Sequence, residues 1–184
     1  MGSDKALLEW RGEALVARQA RLLEAALTAR GKGGGNVAIV GNPARYGSFG
    51  FPVVADLREG SDGPLAGIEA ALASPYADEW NLVIACDMPF LDAALLARLL
   101  SALEQAGPDT DCILAHTARG AEPLCSLYRR RFLAVACRQL DAGRRKVRDA
   151  LDGLELIHFQ IDNEAALANV NTPADWQAAN QEAR

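Results

Sequence analysis

An α/β fold, with a mostly parallel sheet covered by helices on both faces, follows from three features of the sequence. Short apolar runs rich in Val, Ile and Leu alternate with longer segments of helical periodicity. Gly and Pro clusters punctuate the joints, as at 31–35, 60–63 and 107–108. No internal repeat or linker breaks the 184 residues, so a single domain over 1–184 is expected.

The elements can be justified in order. Residues 14–30 place Leu15, Ala20, Leu22, Leu23, Ala26 and Leu27 close to helical spacing, and the glycine run at 31–35 stops that helix. Val37-Ala38-Ile39-Val40 reads as a buried strand, and Val53-Val54 as a shorter one leading into Asp56. After a turn at 60–63 comes a helix over 65–73, with Pro64 in its first turn, where a missing N–H costs nothing. A strand over 82–86 precedes an amphipathic helix over 92–105, whose Leu95, Leu96, Leu99, Leu100 and Leu103 share a face. Three weaker strands, 112–115, 124–128 and 156–160, are separated by helices over 130–141 and 146–151. A last helix starts at Thr172-Pro173-Ala174-Asp175, where Thr172 can cap, Asp175 can answer three positions on, and Pro173 sits at the first helical position.

Composition excludes several classes of function. A net charge of −5 gives no footing for nucleic-acid binding. With 50% hydrophobic and 23% charged residues, the chain can bury an ordinary core rather than stay disordered. Its longest apolar runs, such as Leu82-Val83-Ile84-Ala85, fall far short of the roughly 20 residues that cross a bilayer, so no membrane span is expected. The first residues, Met1-Gly2-Ser3-Asp4-Lys5, lack the basic end and apolar run of a secretory peptide, and the expected location is cytoplasmic. Cys86, Cys112, Cys125 and Cys137 form no C-x-x-C pair and read as small buried hydrophobes.

Ligands of open α/β sheets lie outside the carboxyl ends of the strands, so polar residues just past a strand carry the most weight. Asp87 ends the run Leu82-Val83-Ile84-Ala85-Cys86 and precedes Met88-Pro89-Phe90. A carboxylate there can hold Mg²⁺, a hard ion that takes oxygen ligands and completes its shell with water and substrate phosphate. It can equally cap the next helix. Asp56 followed by Gly63-Pro64-Leu65-Ala66-Gly67 is a strand-end acid and a glycine-flanked helix start, which offers amides to a phosphate or a base; turn punctuation explains it as well. Asn169 and Asn171 alternate before the last helix, where they can orient a metal-bound phosphate or bond their own backbone. Arg144-Arg145-Lys146 with Arg148 can receive a phosphorylated substrate or form a solvated helix face. The glycine run with Lys32 is no Walker loop, because it follows a helix and has Gly33 after the lysine. His116 and His158 are isolated along the chain and form neither a metal pair nor a hydrolase triad.

In order, these segments resemble the molybdenum cofactor guanylyltransferases, a branch of the nucleotidyltransferases. Met1-Gly2-Ser3-Asp4-Lys5-Ala6-Leu7-Leu8 is similar to the end of that family's L-A-G-G-x-S-x-R-M-G-x-D-K signature. Gly63-Pro64-Leu65-Ala66-Gly67, Cys86-Asp87-Met88-Pro89-Phe90, Gly143-Arg144-Arg145-Lys146-Val147 and Asn169-Val170-Asn171-Thr172-Pro173 are similar to its later motifs. The resemblance implies a three-layer Rossmann-like nucleotidyltransferase fold and a Mg²⁺-dependent transfer of GMP from GTP to the terminal phosphate of molybdopterin, with release of pyrophosphate. It implies that Lys5 and Asp87 are catalytic and that Asp87 binds the metal. Lys5, Asp56, Gly63, Pro64, Leu65 and Asp87 would meet the nucleotide, and Arg144, Arg145, Asn169 and Asn171 the pterin substrate. Partners would be molybdenum-insertion and molybdoenzyme-maturation proteins.

Two departures stand out. The family's first strand and the glycine pair of its phosphate turn would precede Met1, so the fold is expected to be N-terminally truncated, with its start assigned to an internal methionine. A chain lacking that strand is expected to be unstable or poorly active until an upstream extension restores it. In Val40-Gly41-Asn42, Val40 stands where many relatives have an Asn, which makes guanine recognition less secure than the transferase class. A cytidylyltransferase acting on the same pterin, a sugar-phosphate nucleotidyltransferase, and a pterin- or partner-binding homologue without catalysis are the alternatives.

Overall fold

Residues 4–31, 36–58, 60, 63–170 and 175–176 are described by a computed structural model. At the amino end, β1 (Glu9–Trp10) and β2 (Glu13–Ala14) pair as a hairpin that sequence periodicity does not announce. Arg11 and Gly12 turn it with φ of 52° and 80°, the doubly left-handed form that suits a two-residue hairpin turn. Helix α1 (Leu15–Ala29) follows within one residue of its expected bounds at each end.

The next two strands are short. β3 (Ile39–Val40) and β4 (Val53–Val54) pair in parallel, Ile39 opposite Val53 and Val40 opposite Val54. Between them lies a single turn of helix, α2 (Pro43–Tyr46), capped by Asn42, whose Oδ1 accepts the Ala44 N–H at 2.8 Å. Helix α3 (Pro64–Ala73) has Pro64 in its first turn as expected, and the cap position falls to Gly63 at φ 82°, a conformation that favours glycine.

β5 (Trp80–Ile84) begins and ends two residues earlier than the apolar run suggests, because pairing with β8 (Cys125–Arg129) sets its bounds: Trp80 lies opposite Arg129 and Ile84 opposite Cys125. Helix α4 (Ala93–Ser101) starts from Asp92, which accepts the Leu95 N–H at 2.7 Å, and runs on as a tighter turn over Ala102–Gln105. β6 (Cys112–Thr117) pairs antiparallel with β8, parallel with β9 (Leu156–Gln160), and closes a small hairpin with β7 (Gly120–Ala121). Thus β5, β6 and β9 run in one sense and β8 runs against them. Helices α5 (Phe132–Asp141) and α6 (Val147–Ala150) fill the later gaps. The capping sequence at Thr172 and Pro173 lies outside the described residues.

Alternation along β6 shows the three layers directly. Ile113 and Ala115 join one core with Leu95, Leu96 and Leu99 of α4, whereas Cys112 and Leu114 join another with Leu65, Ile68 and Leu72 of α3 and Phe132 of α5. One sheet is therefore covered on both faces, as helix–sheet–helix architecture requires.

Two expectations need correction. Cys112 and Cys125 are buried, but Cys86, two residues past β5, and Cys137, within α5, are half-buried. The histidines are not isolated in space: His158 Nδ1 and His116 Nε2 stand 2.8 Å apart with their rings edge-on. Parallel pairing of β6 with β9 sets Leu114 opposite His158, so His116 is its diagonal neighbour. Strand adjacency of this kind leaves no trace in linear spacing.

Candidate active site

Asp87 follows β5 at its carboxyl end and is half-buried. Burial raises its carboxyl above the ordinary range, and the charge of Lys5 acts in the opposite direction. The turn that carries it is tied down from three directions. Gln19 of α1 donates through Nε2 to the Met88 carbonyl at 2.6 Å, Arg18 donates to the Leu91 carbonyl at 2.9 Å, and the Val170 N–H donates to the Asp87 carbonyl at 2.9 Å. Trp10 packs edge-on against Phe90 with ring centroids 5.3 Å apart. A carboxylate on so firmly held a turn, in a partly dry setting, is suited to act as a point charge; the cap of α4 is the separate residue Asp92.

Lys5 lies in the short turn Lys5–Leu7, whose fixed point is Asp4. That carboxylate accepts the Ala6 N–H at 3.1 Å, the Tyr46 hydroxyl at 2.7 Å and Arg45 at 3.1 Å. Burial works to raise the Asp4 carboxyl, but the hydrogen bonds from Tyr46, Ala6 and Arg45 outweigh it and the net shift is downward. Burial, with the charges of Asp87 and Asp4 beside it, pushes the Cys86 thiol up to about 11, which keeps it protonated and unreactive at neutral pH.

The other candidates divide. Gly63 and Pro64 are exposed at the head of α3, while the Leu65 side chain is fully buried in the core, so only the Leu65 backbone can meet a ligand. Arg144 and Arg145 are exposed in the turn before α6 rather than on a helix face, and the Arg145 carbonyl oxygen is 3.9 Å from where a Cβ on Gly63 would stand. The basic turn and the α3 N-terminus are therefore neighbours. Pro64, Ala6 and Cys86 also line one cavity of about 300 Å³, which joins the α3 end to the Lys5–Asp87 end. Asn169 is exposed beside Val170 and so close to Asp87, and Asn171 lies outside the described residues. Asp56 is exposed two residues past β4. Two residues on, Arg58 holds Glu69 at 2.7 and 2.6 Å and Asp141 at 2.9 Å, which fastens that segment to α3 and α5. Asn42 is engaged as the cap of α2.

Sequence reasoning missed Asp4, Tyr46 and Gln19. Gln19 carried a signal: a polar residue four after Leu15 and three before Leu22, inside an apolar helical stripe, is 4% exposed. Asp4 adjoins Lys5 in the quoted motif, where its residue type alone does not mark it as the anchor of the turn. Among the described residues, no group of three or more His, Cys, Asp or Glu side chains forms a metal cage, and no helix is long and apolar enough to cross a membrane.

Comparison with known proteins adds a lineage to this geometry. A family model described as the MobA-like NTP transferase domain matches residues 1–157. A protein of Synechococcus elongatus named "Probable molybdenum cofactor guanylyltransferase" is 34% identical over 97% of this chain and 90% of its own. Among solved structures, molybdopterin-guanine dinucleotide biosynthesis protein A of Archaeoglobus fulgidus superposes with a TM-score of 0.73 at 24% identity, covering 99% of this chain and 91% of that one. A Mycobacterium tuberculosis protein in complex with manganese superposes with a TM-score of 0.60 at 20% identity, over 98% of this chain and 93% of that one.

Proposed function

Because the chain belongs to the MobA-like NTP transferase domain family, we propose that it transfers GMP from GTP to the terminal phosphate of molybdopterin. An oxygen of that phosphate attacks the α-phosphorus of GTP, a new phosphorus–oxygen bond forms, the bond to the β-phosphate bridge breaks, and pyrophosphate leaves. The pterin substrate brings its own nucleophile, so the protein's task is positioning and charge neutralisation.

The observation that carries this reading is Asp87: a half-buried carboxylate just past the carboxyl end of β5, on a turn pinned by Gln19 and Val170 and within the field of Lys5. One carboxylate fits a divalent cation whose remaining ligands are water and substrate phosphate, and Mg²⁺ is the ion that habitually binds this way. Asp87 would hold it, and it would supply neutralisation of charge on the reacting phosphate. Lys5 offers a second positive charge to the triphosphate. The head of α3 offers the Leu65 amide and the helix dipole, with Gly63 leaving room for close approach. Asp56 serves the nucleoside, and Arg144 and Arg145, beside Gly63, receive the pterin's phosphate with Asn169 and Asn171 helping to orient it. We place the reaction in the cytoplasm, with the product passed to molybdenum-insertion and molybdoenzyme-maturation proteins.

The test is incorporation of label from α-labelled GTP into molybdopterin in the presence of Mg²⁺. Asp87→Asn should lower turnover by a factor on the order of 10²–10³ with far-UV dichroism unchanged. Incorporation from CTP in place of GTP, or full turnover by the variant, overturns the proposal.

A further inference from the structure

One pair of metal-ligating side chains stands outside the candidate active site, and the alternation of two neighbouring strands builds it. Along β6, Cys112 and Leu114 face the core formed with α3, α5 and α6, so His116, two residues on, projects from the same face. Along β9, Leu156 packs against that core and His158 lies two residues further on. The parallel register makes the two rings diagonal neighbours. His116 Nε2 and His158 Nδ1 stand 2.8 Å apart, with ring centroids at 4.6 Å and planes crossing at 71°. His158 is exposed and His116 half-buried, so the pair is open to water.

A hydrogen bond alone gives this arrangement little to do. One imidazole can donate to the other, yet an exposed bond between neutral groups adds little net stability, and β9 is already laddered to β6 from Leu156 to Gln160. Chelation makes fuller use of the same geometry. A divalent ion about 2.0–2.1 Å from each of two imidazole nitrogens sets them roughly 2.9–3.4 Å apart at angles of about 90–110°, so the rings need open by only about half an ångström or less. The ligand form is available at neutral pH, because burial and the charges of His158 and Arg148 lower the His116 pKa against an upward pull from Glu122. Arg148, whose Nη2 donates to the Ala121 carbonyl at 3.2 Å, is the opposing charge on the α6 side, and Glu122, next to β7, is the attracting one. Among the described residues no third His, Cys, Asp or Glu completes a cage with the two rings, so water would fill the other positions.

We propose that His116 and His158 form a two-imidazole clip for a borderline divalent transition ion of the Zn²⁺, Ni²⁺ and Cu²⁺ class, separate from the cation position at Asp87, and that the ion fastens β9 to β6. Ligand chemistry decides the class. Neutral nitrogen ligands suit these ions, whereas Mg²⁺ and Ca²⁺ require oxygen, so Mg²⁺ does not compete for the clip. Among the described strands β9 pairs with β6 alone, which is where a cross-strand clip has most to add. The two ligands are 42 positions apart in the chain, so the chelate exists only in the folded state and binding stabilises that state.

The test needs no catalytic assay and does not depend on the proposed reaction. Zn²⁺ is titrated calorimetrically into the tag-free full chain. One equivalent should bind, excess Mg²⁺ should leave the isotherm unchanged, and His116→Ala or His158→Ala should each weaken binding at least about tenfold, because a chelate becomes a single ligand. Zn²⁺ should also raise the melting temperature of the parent and leave that of the double variant where it was. Lowering the pH should release the ion, as protons take the imidazole lone pairs. Where far-UV dichroism shows that an alanine variant is disturbed, His158→Gln at the exposed position replaces it. Undiminished binding by the folded double variant overturns the proposal and assigns the ion to other groups, such as the Cys86 and Cys137 thiols. Displacement by Mg²⁺ overturns it as well, placing the ion at Asp87, and so does the absence of any heat of binding to the parent.

Discussion

The two halves of the sheet are built from similar residues and buried to very different extents. Around β6, the residues Cys112, Ile113, Leu114 and Ala115 are 0 to 3% exposed, and Cys125, Ser126, Leu127 and Tyr128 of β8 match them. At the gap between the two sheets, all of β4 and β5 is only half-buried although Val53, Val54, Leu82, Val83 and Ile84 are as apolar as anything in β6. What differs is the number of neighbours: β6 has partners on both edges, while β3 and β5 each have one. Hydrophobicity states what a strand can bury, and topology decides what it does bury. The closed half therefore carries the stability, and the seam between halves carries the candidate chemistry, at Asp87, Lys5 and the head of α3.

The largest effect expected from this contrast is mutational. Leu127→Ala, in the closed core, should cost about 2–5 kcal/mol, the range for a large cavity in packed surroundings. Leu82→Ala, a half-buried position facing the gap, should cost under half as much, because water already reaches the site. Urea unfolding followed by fluorescence and dichroism measures both. Equal costs would mean that the gap is closed in solution and would remove the contrast.

How much of this was legible in the sequence follows the same division. The segments whose periodicity decides their fate, α1, α3, α4 and β9, lie where expected, and Pro64 and Asp92 mark helix starts correctly. Local signals sufficed there. The frame of β5 lies two residues ahead of the apolar run because the partner strand sets it. The hairpin at Glu9–Ala14 depends on Arg11 adopting positive φ, which no residue type announces. For the site, Asp87 and Lys5 are legible from chain position, and Gly63 and Arg145 are each legible separately, but their adjacency is not, because 81 intervening residues hide it. The His116–His158 pair and the Asp4–Tyr46 bond were invisible for that reason: each joins elements distant in the chain.

A mid-sized effect separates function from stability within the seam. Burial raises the Asp87 carboxyl pKa above its unfolded value, so the folded state favours the protonated form. The associated stability is fully present below the unfolded pKa and is lost as pH rises through the folded pKa. At neutral pH the carboxylate is thus a net cost, and Asp87→Asn should melt higher than the parent when no nucleotide or cation is added. The difference should shrink on acidification, where the parent takes up its proton. A scan of melting temperature against pH decides it; a variant that melts lower at neutral pH would show that Lys5 over-compensates the burial, and that the site is stabilised rather than strained. Functional residues are often held at such a cost to folding.

The smallest effect concerns how the amino end is tied to the seam. Tyr46→Phe deletes one hydrogen bond to a carboxylate and leaves the ring in place, so it should cost about 1–2 kcal/mol at neutral pH. Its pH dependence has the opposite sign to that of Asp87. The Asp4 carboxyl is depressed in the folded state, so its contribution is present above the unfolded pKa and lost as pH falls through the folded one. The cost of Tyr46→Phe should accordingly fade in acid, and in an Asp4→Asn background it should be small at every pH, with the double-mutant cycle giving the coupling directly. If the cost were instead the same across the pH range, the tie between Tyr46 and Asp4 would not depend on the carboxylate's charge.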